Sequence, residues 1–239
     1  MGWAGGWARI LAVGAMLALS GCGLFGGRSA SDEACLDQLQ SDRVAFTSAP
    51  VHASSSACTI DNPVRVSNAA MSWSPPGLLA CGFAARFDEF LGGPVEKLAR
   101  RRLGSSITSM RQLGTYACRR STGTKHRMSE HASGRAIDVA GFWLANGEFV
   151  SVEHDWHGGG RKAEFLHEFA RAACGRFGVV LTPDANRAHF NHVHIDVGRW
   201  HLCGMRRADG TLPPELERIV AESGEGAAPD ESVADTGEK

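Results

Sequence analysis

The chain has 239 residues, with 25 Lys and Arg against 26 Asp and Glu, for a formal net charge of −1. That balance excludes a general nucleic-acid binder, which relies on excess positive charge. A hydrophobic fraction of 43% excludes a largely disordered chain and supports one packed domain with tails.

The N-terminus reads as an export signal over residues 1–21. Arg9 precedes an apolar run from Ile10 to Leu19, and Leu19-Ser20-Gly21-Cys22 follows. A basic start, an apolar centre of about ten residues and a small-residue exit describe a secretory signal. The run is shorter than the ~20 residues a spanning helix needs. Leu-Ser-Gly-Cys also matches the bacterial lipobox, which makes Cys22 the expected lipidation site. The expected location is therefore the bacterial cell envelope, with the chain held to a membrane through lipid at Cys22. Residues 22–34 read as a flexible tether.

Six further cysteines remain: Cys35, Cys58, Cys81, Cys118, Cys174 and Cys203. In an exported chain they predict three disulfides, and the count alone leaves about 15 pairings open. There is no C-x-x-C pair to suggest a thiolate metal site.

Leu78, Phe83, Phe87, Phe90 and Leu91 recur at helical spacing after Pro75-Pro76, which predicts a helix starting there. Gly92-Gly93-Pro94 predicts its end, and Val95, Leu98 and Leu103 predict a second helix. Ile107 to Tyr116 reads as a strand. Ala136 to Phe142 and Glu148 to Val152 read as strands joined by a turn containing Asn146-Gly147. Phe165, Leu166, Phe169, Ala172 and Ala173 mark a helix, and Val179 to Leu181 and His192 to Val197 close the sheet. The fold class is α+β, a small antiparallel sheet flanked by helices. The domain is expected over 35–204, and the acidic residues 205–239 are expected to be mostly disordered.

The chemistry gathers in two segments. In His189-Phe190-Asn191-His192-Val193-His194-Ile195-Asp196-Val197, a period of two puts His192, His194 and Asp196 on one face and Val193, Ile195 and Val197 on the other. Two imidazoles and a carboxylate pack poorly but ligate metal well. Upstream, Ser129-Glu130-His131-Ala132-Ser133-Gly134-Arg135-Ala136-Ile137-Asp138 adds one more His and one more Asp across a glycine. Together they predict a Zn²⁺ site of two His and one Asp with one position open. Asp138 is flanked by Ile137 and Val139, which predicts a buried strand where an unpaired carboxylate is costly. His126, His154, His157, His167 and His201 read as surface residues, and Trp143 and Trp156 as packing.

These segments, with Gly114-Thr115-Tyr116-Ala117-Cys118-Arg119, resemble the bacterial extensin-like C-terminal domain family. That family is similar in turn to the zinc D-Ala-D-Ala carboxypeptidases, the murein endopeptidases and the Hedgehog signalling domain. The resemblance implies His131, Asp138 and His194 as the zinc ligands and His192 as the active-site His beside the metal. It places Arg119 where the carboxypeptidases bind the scissile carbonyl. His189, Asp196 and Ser129 are then supporting residues. Together with nearest-neighbour order, it also implies the pairs Cys35–Cys58, Cys81–Cys118 and Cys174–Cys203. Asn191 departs from the carboxypeptidases, which place a Glu general base there, and an amide cannot take a proton from water. The implied function is zinc-dependent hydrolysis of amide bonds in peptidoglycan peptides. The alternative is a noncatalytic envelope-binding module that keeps a structural metal. The expected partners are cell-wall peptides or another envelope polymer, for a monomer with no nucleic-acid partner.

Overall fold

A computed structural model describes residues 1–2, 30–51, 55–121, 127–207 and 209–214. The expected export signal, Cys22, His126, the first part of the tether and most of the acidic tail lie outside the described residues. Among the described residues, no helix is long and apolar enough to cross a membrane.

The chain opens with α1 (Ala30–Ser41), which buries Leu36 and Leu39. Strands β1 (Ala45–Ser48), β2 (Pro63–Asn68) and β3 (Ser72–Ala80) follow as an antiparallel run. Pro75-Pro76 lies inside β3 rather than starting a helix. Residues 77–80 pair with β2 and residues 72–74 pair with the later strand β4, so the two prolines fall between ladders where no N–H is required. Helix α2 (Cys81–Phe90) begins only after β3 ends.

Gly92-Gly93-Pro94 does not break the helical path. Leu91–Val95 forms one wide π turn that runs into α3 (Glu96–Leu103). The wider turn tolerates the missing proline N–H, and the two glycines remove side chains from the bend. Strand β4 (Ile107–Gly114) ends before Tyr116. Then come β5 (Ala136–Leu144), β6 (Phe149–Ser151), the short α4 (Val152–Asp155), α5 (Arg161–Cys174), β7 (Val179–Leu181), β8 (Val193–Asp196) and β9 (Leu202–Gly204). Gly147, at φ 84°, turns the β5–β6 hairpin.

The fold is α+β, but the sheet is neither small nor purely antiparallel. Among the described residues its nine strands run β1-β2-β3-β4-β5-β8-β7-β9, with β6 also on β5. The β3–β4 and β7–β9 pairs are parallel. β5 shares one edge between two neighbours: β8 pairs with residues 136–139 and β6 with residues 141–143.

Ile137, Val139, Val193, Ile195 and Val180 point to one face of the sheet and are fully buried. The helices cover that face. Phe142 packs edge-on against Phe165 and Phe169 of α5, and Phe87 and Phe90 of α2 meet Phe177. Alternation along β5 and β8 therefore sends Asp138, His194 and Asp196 to the opposite face, away from the helices. The fold extends slightly past residue 204, because Met205 is buried and the Arg206 amide donates to Asp184 at 3.1 Å.

Two of the three implied disulfide pairs are crossed. The bonds are Cys35–Cys81, Cys58–Cys118 and Cys174–Cys203. Cys35 lies on α1, which packs along α2 and so meets Cys81 at the start of that helix. Cys58 sits in a short 3-10 turn (Ser56–Cys58) and joins the segment after β4 instead. Order along the chain does not encode either contact.

Candidate metal centre

Asp138 and His194 are direct cross-strand partners in the β5–β8 ladder, and Gly114 of β4 lies opposite Asp138 on its other side. A Cβ on Gly114 would approach Asp138 Oδ2 to 3.4 Å, so glycine here leaves that carboxylate uncrowded. His131 arrives from above the sheet, in a 3-10 turn (Glu130–Ser133) capped by Ser129, whose Oγ accepts the His131 amide at 3.3 Å. Gly134 ends the turn at φ 64°. A side chain there would strike the Ala80 nitrogen at 2.8 Å, so both the conformation and the space call for glycine.

Three ligand atoms converge. His131 Nε2 lies 3.2 Å from Asp138 Oδ1 and 3.2 Å from His194 Nδ1, and the last two lie 2.9 Å apart. Tetrahedral ligands about 2.0–2.1 Å from a zinc ion stand about 3.3 Å from one another. The spacing fits a single small cation.

The outer partners decide what those atoms present. His131 Nδ1 faces the Thr115 carbonyl at 3.2 Å, so that nitrogen carries the proton and donates. His194 Nε2 donates to Asp196 Oδ2 at 3.1 Å. Asp196 is itself held by the amides of Val179 and Gly198 on its other oxygen, at 3.2 and 2.8 Å. With both outer nitrogens acting as donors, the inner nitrogens His131 Nε2 and His194 Nδ1 face each other and the carboxylate. Three lone pairs facing inward would repel unless a cation or a proton sat among them. In the metal-free protein a proton on His194 fills that place. Burial opposes it, but hydrogen bonds to Asp138 and Asp196 raise the His194 pKa to about 9. Burial likewise pushes Asp138 up, but hydrogen bonds from His131 and His194 prevail and hold it well below the usual carboxylate range.

His192 precedes β8 rather than starting it. Its Nδ1 donates to Asn191 Oδ1 at 2.9 Å, and its Nε2 faces Asp138 Oδ1 at 3.6 Å. Burial, opposed by the nearby Asp138 charge, lowers its pKa, so the ring is neutral at pH 7 with a lone pair toward the centre. His189 sits in a 3-10 turn (Arg187–His189), with Nδ1 2.6 Å from Asn186 Oδ1 and its ring 5.1 Å from that of His192. Burial and then the neighbouring His194 and His192 charges push it down to about 3. Arg119 is exposed, and its charge reaches both His189 and His192.

A loop segment braces the wall of the centre. Cys118 is bonded to Cys58, and Tyr116 donates its hydroxyl to the Cys58 carbonyl at 3.0 Å. The Ala117 amide donates to the His131 carbonyl at 3.3 Å. These contacts position the Thr115 carbonyl that sets the His131 tautomer. The sequence reading quotes Thr115 only within the family motif and gives it no role, and it omits Asn186 and the orienting role of Asn191. Thr115 acts through its backbone, which no side-chain motif records. Among the histidines read as surface, His167 is half-buried and lies 3.0 Å from the Trp156 carbonyl, whereas His154, His157 and His201 are exposed.

The profile of the family described as Extensin-like protein C-terminus matches residues 33–204. The chain belongs to the extensin-like C-terminal family. The matched span of this extensin-like domain contains every residue of the centre and all three disulfides. No curated protein and no solved structure matches the chain.

Proposed function

We propose that this extensin-like protein is a lipid-anchored zinc hydrolase of the bacterial cell envelope that cuts amide bonds in cell-wall peptides. The observation that carries the reading is the convergence of His131 Nε2, Asp138 Oδ1 and His194 Nδ1 within 3.2 Å of one another, with Nε2 of His192 3.6 Å from Asp138 Oδ1. Two imidazoles and one carboxylate suit zinc, a borderline-soft ion, and three protein ligands leave a position for substrate or water. When bound, zinc supplies Lewis acidity toward a carbonyl and toward water.

The remaining work falls to this chain's own side chains. His192 Nε2 takes a proton from the attacking water and returns it to the leaving amine. Asn191 keeps that ring in the tautomer the step needs. Arg119, at the rim, steadies the negative charge that develops on the carbonyl oxygen. Thr115 and Asp196 orient the two histidine ligands. The lipobox at Cys22 supports the envelope location.

A second reading is a noncatalytic envelope-binding module with a structural metal. Asn191 favours it, because no carboxylate stands where the carboxypeptidases have their base. Incubating zinc-loaded and chelator-treated protein with peptidoglycan, followed by mass spectrometry of the released fragments, separates the two. Fragments ending at cut amide bonds, found only with the metal-loaded protein, support the hydrolase. No fragments from either sample supports the binding module.

A further inference from the structure

On the α2 and α5 side of the molecule lies a cavity of about 330 Å³ that the metal chemistry does not use. It opens between α2, the turn after α5 and the loop joining β8 to β9. Arg86, Arg176, Arg199 and His201 line it, and no Asp or Glu does. We propose that this cavity binds an oxyanion, a phosphate or carboxylate carried on a small organic group.

The cations come from three separate parts of the chain, so their gathering is a product of the fold. Arg86 is held in place: it donates to the Arg176 carbonyl, and its guanidinium lies 5.2 Å from the Phe177 ring centre. One such bond leaves most of its five N–H donors for a ligand. Arg176 meets Glu89 at 3.5 Å, but both side chains are well exposed, which makes the pair weak. Arg199 makes no ion pair among the described residues. The nearby Glu130 carboxylate is bonded to Arg135 at 2.8 Å, and Asp196 is taken up by His194 and two amides.

A structural rival exists for part of the cluster. Cations near a helix C-terminus offset its partial negative charge, and Arg86 and Arg176 flank the end of α5. That role does not account for Arg199 and His201, which lie on a different loop and turn toward the same space. Like charges brought together repel, and an anion between them removes the cost. The volume falls in the ~300–1,000 Å³ range of small-molecule sites, larger than a bare anion fills. Trp200, 60% exposed, adds a flat apolar wall, with Arg127 stacked 5.7 Å from its ring centre. This inference does not rest on the metal centre.

The test titrates inorganic phosphate and, separately, glucuronate into the chelator-treated full chain, following the Trp200 indole N–H resonance by NMR. At least one probe is expected to shift it saturably, and the probe that does identifies the anion class. Arg199→Glu, on an exposed loop, should weaken that binding at least tenfold. Arg161→Glu, at the opposite end of α5, should leave it unchanged. The inference is overturned if neither probe saturates, if Arg199→Glu binds like wild type, or if Arg161→Glu weakens binding equally.

Discussion

Asn191 Oδ1 lies 2.9 Å from Nδ1 of His192, and this contact settles which nitrogen of that imidazole faces the metal centre. An amide oxygen only accepts, so Nδ1 carries the proton and Nε2 presents its lone pair toward Asp138. Asn191, which looks like a missing base from the sequence, orients in the fold the imidazole that the proposed hydrolase would use as its base.

Removing the amide should therefore impair turnover without losing the metal. Asn191→Leu is expected to lower kcat about 10–100-fold, in the range seen when a partner that orients a histidine is lost. Asn191→Asp keeps an acceptor but adds charge next to His192, raising its pKa. The acid limb of the pH–rate profile should then move to higher pH. A profile identical to wild type in Asn191→Asp would contradict the tautomer role.

Proton and metal compete for His194. Its raised pKa of about 9 means that a divalent ion must displace a proton at neutral pH, so apparent metal affinity should climb as pH rises toward 9. The metal-free protein should behave in the opposite sense. A histidine raised in the folded state contributes stability that is full below its unfolded pKa of about 6.5 and is lost as pH rises through the folded value. Melting of chelator-treated protein between pH 6 and 9.5 should show a falling Tm across that window, and zinc-loaded protein should show a flatter curve. Asp138, held low by the same contacts, gives the acid side: its contribution is present above about pH 4 and is lost as pH falls further.

The Cys58–Cys118 bond braces the Thr115 carbonyl and closes a long loop, with a sequence separation of 60. Replacing both cysteines by serine should cost about 2–4 kcal/mol of stability. It should also weaken metal binding, because Tyr116 and Thr115 lose their anchor. Non-reducing peptide mapping should recover Cys35–Cys81, Cys58–Cys118 and Cys174–Cys203. Recovery of Cys35–Cys58 would contradict the fold of α1 against α2.

The legible parts of the site are those written in side-chain periodicity. His194 and Asp196 stand two apart on a strand whose other residues are Val193 and Ile195, so their common face follows from the pleat. Asp138 is legible for the same reason, between Ile137 and Val139. His192 reaches the same group, as its place in the run implies, but it stands one residue before the strand, so its ring is set by Asn191 and not by the pleat. Thr115 acts through its backbone, which leaves no mark on residue type. Pro75-Pro76 misleads because a proline pair suits a helix start and also the gap between two ladders, and only the pairing partners decide. The short edge strands β1 and β9 carry too few residues for a pattern. The disulfide pairing depends on α1 lying along α2, a tertiary fact.

Loss of an outer partner should be milder than loss of a ligand. Asp196→Ala removes the carboxylate that holds His194 Nε2, and metal affinity should fall about 10–100-fold. His131→Ala, Asp138→Ala and His194→Ala should each leave bound zinc well below stoichiometric by elemental analysis. Full zinc content in all three would place the metal elsewhere.

The most direct measurement is an anomalous difference map at the zinc edge from a crystal grown with one equivalent of zinc. The expected result is a single peak about 2.0–2.2 Å from each of His131 Nε2, Asp138 Oδ1 and His194 Nδ1. A peak elsewhere, or none while His194 remains hydrogen-bonded to Asp138, would contradict a metal centre built from these three residues.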